Sequence, residues 1–223
     1  MALAGQRRPF GWLAPGAFAL VTVLLLSACA SSAYTYVTSA STHAYFRVPG
    51  DWTMYNKQQL LVASGLKNSP ATEKGFPFLI GYDSAPTPSV RHVIGGIATA
   101  PVVLAEVRTL SAVDRDQASL ALLRNSVYQV DQLLQADEAE ILSDRDITLS
   151  NGVHGSQLVF NVAIGGTFGV LEGNQILTVN QTGLLDPSTN RMYVFIVRCG
   201  SDAYSHNRTV IDQIVRSFTV KET

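Results

Sequence analysis

The sequence predicts an α+β domain: a mainly antiparallel β-sheet with helices packed over it. Three observations carry that prediction. Asn151-Gly152, a strong hairpin turn signal, lies between two strand-like segments, Ile141–Leu149 and Val153–Val162. A second strand pair, Ile176–Thr182 and Met192–Arg198, flanks a loop containing Leu-Leu-Asp-Pro-Ser-Thr-Asn. Helical periodicity is confined to a few segments, so the chain does not alternate strand and helix throughout. Strands joined by hairpins cannot build a doubly wound parallel sheet.

The elements follow in order. Ala44–Val48 alternates in part and is stopped by Pro49-Gly50, which predicts a strand and a turn, with Trp52 packing on the core. Lys57–Leu66 is a short helix and Asn68–Gly75 a loop. Phe76–Tyr82 is apolar and aromatic, a second strand. Val93–Ala98 and Val102–Val107 are strands, or one long strand bent at Pro101, with Gly95-Gly96 marking a bulge or a close backbone approach. The longest helix is expected over 112–135. There Leu120, Leu123, Val127, Val130 and Leu134 recur at spacings of 3 and 4 on one face, Ser111 and Asp114 have capping-box spacing, and Asp116 adds negative charge to the first turn. After the two hairpins, a helix over 202–217 is capped by Ser201 or Asp202. It turns Tyr204, Ile211, Ile214 and Phe218 inward, and Thr219-Val220 adds a last short strand.

The N-terminus carries a separate signal. Arg7 and Arg8 form a positive region, Ala17–Leu26 is apolar, and Ser27-Ala28 are small. That order is the pattern of an export signal over 1–28, and its apolar run is too short to cross a ~30 Å bilayer core as a helix. Leu26-Ser27-Ala28-Cys29 resembles the lipobox of bacterial lipoproteins. The resemblance implies that Cys29 receives a diacylglyceryl group and becomes the first residue of an extracytoplasmic protein held at the cell membrane. Arg7-Arg8-Pro9-Phe10 partly resembles a twin-arginine export signal, but paired arginines also occur in ordinary export signals, so both routes stay open. Residues 29–42 are expected to be a flexible tether and 43–223 a single domain.

Composition sets limits on function. The chain is 47% hydrophobic and 15% charged, which suits a globular protein. Removing the first 28 residues leaves 14 basic against 17 acidic residues, so the body is slightly acidic and lacks a Lys/Arg block that would attract nucleic acid. With Cys29 lipidated, Cys199 has no partner in the chain. It ends the apolar run from Met192, so it is expected to be a buried, inert thiol.

Two ends of the domain carry a family resemblance. Tyr45-Phe-Arg-Val-Pro-Gly-Asp-Trp52 resembles the opening of Mog1/PsbP-like domains, and Val210-Ile-Asp-Gln-Ile-Val-Arg-Ser-Phe-Thr-Val220 resembles their last helix and terminal Ser-Phe. Between them, Val103–Ser111, Arg115-Asp116 and Ser119–Asn125 are similar to uncharacterised actinobacterial lipoproteins of this type. The likeness spans about 44–220 and implies an α/β/α sandwich around an antiparallel sheet. It also implies a binding, assembly or accessory role without a shared catalytic site, so no site residue is carried over.

The residues alone offer no catalytic or metal constellation. His43, His92, His154 and His206 lack a His or Cys at metal-finger spacing and are expected at the surface. Gly165-Gly-Thr-Phe-Gly169 and Gly173 lack the lysine of a phosphate loop. Asp137, Glu138, Glu140, Asp144 and Asp146 lack calcium-loop spacing and are expected to be solvated edges; Arg115, Asp116 and Arg124 are expected to form ion pairs on the long helix. The sequons at Asn180 and Asn207 carry no weight in a bacterial lipoprotein. The leading expectation is a membrane-anchored binding or assembly module for an envelope protein or glycan, with no cofactor and no nucleic acid. The alternatives are a carrier of an apolar ligand such as lipid, and an envelope hydrolase.

Overall fold

The computed structural model describes residues 33–67, 69–116, 119–149, 152–164, 176–186 and 188–221. The expected signal peptide, Cys29, the glycine-rich 165–175 segment, Asn151 and the Asp116 side chain lie outside them. The compact unit runs from Tyr34 to Thr223.

A seven-stranded sheet forms the body. Its strands are β3 (Thr53–Tyr55), β4 (Phe78–Asp83), β5 (Val102–Thr109), β6 (Ala139–Thr148), β7 (His154–Ala163), β8 (Ile176–Asp186) and β9 (Arg191–Gly200). Their spatial order is β3-β4-β5-β9-β8-β7-β6, and every neighbouring pair is antiparallel. A smaller sheet joins β1 (Tyr34–Ser39), β2 (Ala44–Pro49) and β10 (Thr219–Val220) in the order β1-β2-β10. The helices are α1 (Lys57–Ala63), α2 (Pro70–Gly75), α3 (Val90–Ile94), α4 (Ala112–Asp116), α5 (Leu120–Arg124), α6 (Val130–Gln135), α7 (Ser201–His206) and α8 (Arg208–Ser217).

Alternation along the strands divides the core into two layers. On one face, Val103, Ala105, Phe195, Val197 and Cys199 meet Ile211 and Ile214 of α8 and Phe46 and Val48 of β2. Phe218 stacks on Phe195 with ring centroids 4.6 Å apart. On the other face, Leu158, Phe160, Val179, Val194 and Ile196 meet Leu123 of α5 and Val130 of α6. The β4–β5 part of that face meets Leu60, Leu61 and Val93 of α1 and α3. Each fully buried side chain of this kind contributes about 1.5–3 kcal/mol. The result is the expected α+β arrangement, helices on both faces of an antiparallel sheet.

Five local expectations are corrected. The tether expected over 29–42 ends earlier, because Tyr34–Ser39 pair with Ala44–Pro49 as β1 and bury Val37. The alternation Tyr34, Tyr36 against Val37, Ser39 was legible as a weak strand signal. The helix expected over 112–135 is three short ones. Ser119 starts α5 by accepting the Leu122 N–H, and the carbonyls of Leu123, Arg124 and Ser126 are taken by side chains of the sheet. Asn125 then accepts the Asp131 N–H and donates to its carboxylate. Val93–Ala98 is not a strand: Ser89 caps α3, and Gly95, at φ +140°, ends it. Gly81 lets this helix approach, since a Cβ there would meet Val93 at 2.4 Å. Asn68–Gly75 contains α2, started by Ser69 and Pro70. The final helix breaks at Asn207, whose amide donates to the Ala203 carbonyl, and no side chain caps its start.

Gly155 and Gly183 permit close strand packing. A Cβ on Gly155 would lie 1.9 Å from the Gly183 carbonyl oxygen, a backbone atom that cannot yield, whereas a Cβ on Gly183 would meet the Leu123 side chain at 3.1 Å. Gly155→Ala is expected to lower stability by about 3 kcal/mol and Gly183→Ala by about 1 kcal/mol, measured as shifts in the urea unfolding midpoint; equal shifts would contradict this account.

Candidate functional site

The sheet face that carries α7 and α8 is apolar over β4, β5 and β9. Over β6–β8 the same face carries a patch of polar side chains around Val159. Register explains the grouping: Arg145 lies opposite Gln157, Val159 opposite Asn180, and Asn161 opposite Thr178, so these side chains project together. Helices α7 and α8 stand along one side and leave a groove of about 590 Å3, open to solvent. Its floor is Arg145, Gln157, Asn161, Thr178 and Asn180; Ser201, Tyr204, Ser205, Arg208, Asp212 and Arg216 form its wall.

The floor is held by a hydrogen-bond relay. Arg145 Nε donates to Gln157 Oε1 at 2.7 Å, Gln157 Nε2 to Asn180 Oδ1 at 2.8 Å, and Asn180 Nδ2 to the Tyr204 hydroxyl at 3.1 Å. Beside it, Thr178 Oγ1 donates to Asn161 Oδ1 at 2.7 Å. Gln157, Thr178 and Asn180 are buried, so these bonds offset a desolvation cost of about 1–3 kcal/mol per group. Burial raises the Tyr204 pKa, opposed by its bond to Asn180. Three arginines against one aspartate make the groove basic within a slightly acidic chain. Amides, hydroxyls and guanidinium groups on a firm floor can bind hydroxyl-bearing or anionic ligands.

The sequence-predicted residues fare differently. Cys29 lies outside the described residues. Cys199 is fully buried in the α8-facing core, and burial pushes its thiol from an ordinary value near 9 up to about 12. His154 is exposed, and His206 faces the Asp202 carbonyl at 2.7 Å. His43, at φ +59°, places Nδ1 3.2 Å from the Lys221 carbonyl. His92 is not a simple surface residue: its Nδ1 lies 2.8 Å from Oδ2 of the fully buried Asp83, which also accepts the Ala85 and Ser89 N–H groups. No described hydrogen bond joins the other ring nitrogen of His92 to a hydroxyl or thiol. Arg124 pairs with Asp144 of β6 and with Asp131 at 3.5 Å, so Asp144 is an ion-pair partner rather than a free edge residue. Among the described residues, no three His, Cys, Asp or Glu side chains gather as metal ligands. Asn180 is buried and bonded, which closes that sequon to a glycan.

No protein-family model and no curated protein matches the chain. Among solved structures, cyanobacterial PsbP (CyanoP) from Synechocystis sp. PCC 6803 is similar over 87% of this chain and 96% of its own, with 12% identity and a TM-score of 0.53. The fold is PsbP-like. The Ran-binding protein Mog1p of Saccharomyces cerevisiae matches over 85% of this chain and 96% of its own at 14% identity (TM-score 0.45). LpqN of Mycobacterium tuberculosis, involved in cell envelope biogenesis, matches over 85% and 91% at 16% identity (TM-score 0.45). At these identities the likeness concerns fold alone.

The groove escaped the sequence reading because its residues are spread over five elements. The available signal was polar residues on one face of otherwise apolar strands: Gln157 and Asn161, either side of Val159, in β7, and Thr178 and Asn180 in β8.

Two outcomes are expected. Cys199 should resist iodoacetamide in the folded protein at pH 8 and react once urea unfolds it; rapid native labelling would contradict the buried, proton-bound thiol. Because the folded pKa is raised, this group's contribution to stability is fully present below pH 9 and is lost as pH rises toward 12. Tyr204→Phe, which leaves the Asn180 amide short of an acceptor, should cost about 1 kcal/mol, read from the thermal unfolding midpoint.

Proposed function

We propose that this chain is an extracytoplasmic lipoprotein, anchored at the cell membrane through lipidated Cys29, and that its PsbP-like domain is a non-catalytic binding module whose polar groove engages a hydroxyl-rich envelope ligand of the glycan type. The single observation that carries the ligand assignment is the Arg145–Gln157–Asn180–Tyr204 relay, whose two amides, Gln157 and Asn180, are buried. It holds donors and acceptors in fixed positions on a floor open to solvent. Such a floor suits a ligand that presents many hydroxyls, and its excess of arginine also accommodates carboxylate or phosphate groups on that ligand. An apolar cargo fits these walls poorly, which weighs against the lipid-carrier alternative at this site.

The anchor reading rests on Leu26-Ser27-Ala28-Cys29 after a short apolar run. No helix among the described residues is long and apolar enough to cross a membrane. Each buried acyl methylene contributes about 0.8 kcal/mol, and two chains are enough for stable attachment. The domain begins at Tyr34, only a few residues beyond Cys29, so an anchored domain works close to the membrane.

A second reading, contact with an envelope protein, has its own observation. Tyr55, Gln58, Val62, Ala63 and Val90 line a shallow, largely apolar hollow beside the edge strand β3, and Val62 is 65% exposed. The two surfaces are compatible with one assembly role.

Two experiments test the proposal. Cys29→Ala should move the protein from the membrane to the soluble fraction and remove a diacylglyceryl mass from the N-terminal peptide; an unchanged membrane fraction would sink the anchor. A photoreactive residue at Ser205, on the groove wall, should capture glycan from native envelopes, with capture lost on Arg208→Glu and absent from a control position at Asp51. Capture of a single protein instead would overturn the glycan assignment in favour of the protein reading.

A further inference from the structure

The opposite face of the sheet carries a second site. Arg198 precedes Cys199 in β9, so its side chain points away from the groove and away from α8. It is 3% exposed. Its Nη1 donates to the Gly96 carbonyl at 3.0 Å and its Nη2 to the His92 carbonyl at 2.5 Å, around the C-terminal end of α3. The Tyr128 phenol is a third partner: the Arg198 charge and a hydrogen bond from its guanidinium oppose the rise in pKa that burial imposes there, which leaves two of the five N–H groups without a named partner. These partners are neutral. Among the described residues, no carboxylate lies within 4 Å of this guanidinium. Asp83 is on the same face, but two strands away, about 10 Å across the sheet, and is already engaged by His92. Removing a cation from water is costly, and partial charges on carbonyls recover only part of that cost.

Arg198 and Tyr128 lie at a cavity of about 180 Å3 whose other walls are Val93, Val102, Leu104, Val127 and Ile196. Val127 and Gly95 are exposed, so the cavity reaches solvent between α3 and the α5–α6 connection. It is smaller than the ~300–1,000 Å3 typical of drug-sized ligands. A planar fork with unused N–H groups favours a carboxylate, which can accept two of them at once. The aliphatic walls favour a short hydrocarbon chain behind it, since burying methylenes removes apolar surface from water.

We propose that the cavity bounded by Arg198, Tyr128 and the α3 and α5–α6 segments binds short aliphatic carboxylates, with the carboxylate on the Arg198 guanidinium and the chain against Val102, Leu104 and Ile196. The site is separate from the polar groove and does not depend on the glycan reading.

The test uses the full-length chain carrying Cys29→Ala, which keeps acyl lipid out of the assay, with hexanoate as the probe and resonance shifts as readout. Hexanoate at ~1 mM should perturb Leu104, Tyr128 and Ile196 together, and should bind about tenfold more tightly than acetate, hexan-1-ol or hexylamine. Val127→Trp closes the mouth from an exposed position and should weaken hexanoate at least tenfold while leaving the unfolding midpoint within a few degrees. Arg198→Lys keeps the charge but loses the fork, and should weaken it comparably. Absence of shifts at those residues, equal binding of hexan-1-ol, or hexanoate binding untouched by Val127→Trp would each overturn the proposal.

Discussion

Strand β8 is buried along nearly its whole length, yet it carries Thr178, Asn180, Gln181 and Thr182. Each of those buried polar groups needs a partner or imposes a penalty of about 1–3 kcal/mol. Much of the domain is arranged around that requirement, although the buried Gln181 Oε1 has no hydrogen-bond partner among the described residues. Asn180 points to the α8 side and is met by Gln157 and Tyr204; Gln181 points the other way and donates to the carbonyls of Leu123 and Arg124. One strand thus positions the wall of the groove on one face and the end of α5 on the other.

The same logic explains why the helices over 112–135 are short. A continuous helix would spend the Leu123 and Arg124 carbonyls on its own N–H groups. Here Gln181 Nε2 donates to both, the Ser126 N–H reaches the Leu123 carbonyl at 3.3 Å in a tighter turn, and Arg108, paired with buried Glu106 at 2.5 Å, donates to the Ser126 carbonyl. Burial raises the Glu106 pKa and the Arg108 charge opposes that rise. The broken segment leaves Tyr128 between α5 and α6, where it faces Arg198. The apolar periodicity remains visible in Leu123 and Val130, both fully buried, while Leu120 and Val127 are exposed because the breaks rotate them outward.

The two faces have different chemical character as a consequence of strand alternation. Where α8 covers β5 and β9, the sheet presents Phe195, Val197 and Cys199. Beyond the reach of that helix, it presents Gln157, Asn161, Thr178 and Asn180. On the reverse, the apolar layer is interrupted near its edge by Arg198. Both candidate sites therefore arise where the hydrophobic covering stops.

Local patterns alone determined the antiparallel class, both hairpins, the Trp52 turn, the inward face of the last helix and the fate of Cys199. These depend on alternation, turn chemistry and hydrophobic runs, which act between near neighbours in the chain. The export and lipobox pattern is likewise local. Tertiary structure decided the rest: that Tyr34–Ser39 pairs as a strand, that 112–135 breaks twice, that Val93 sits in a helix over Gly81, and that His92 meets Asp83. It also decided that Arg145, Gln157, Asn180 and Tyr204 meet, because strand register and helix placement join residues dozens of positions apart, and no local periodicity encodes which strand lies beside which.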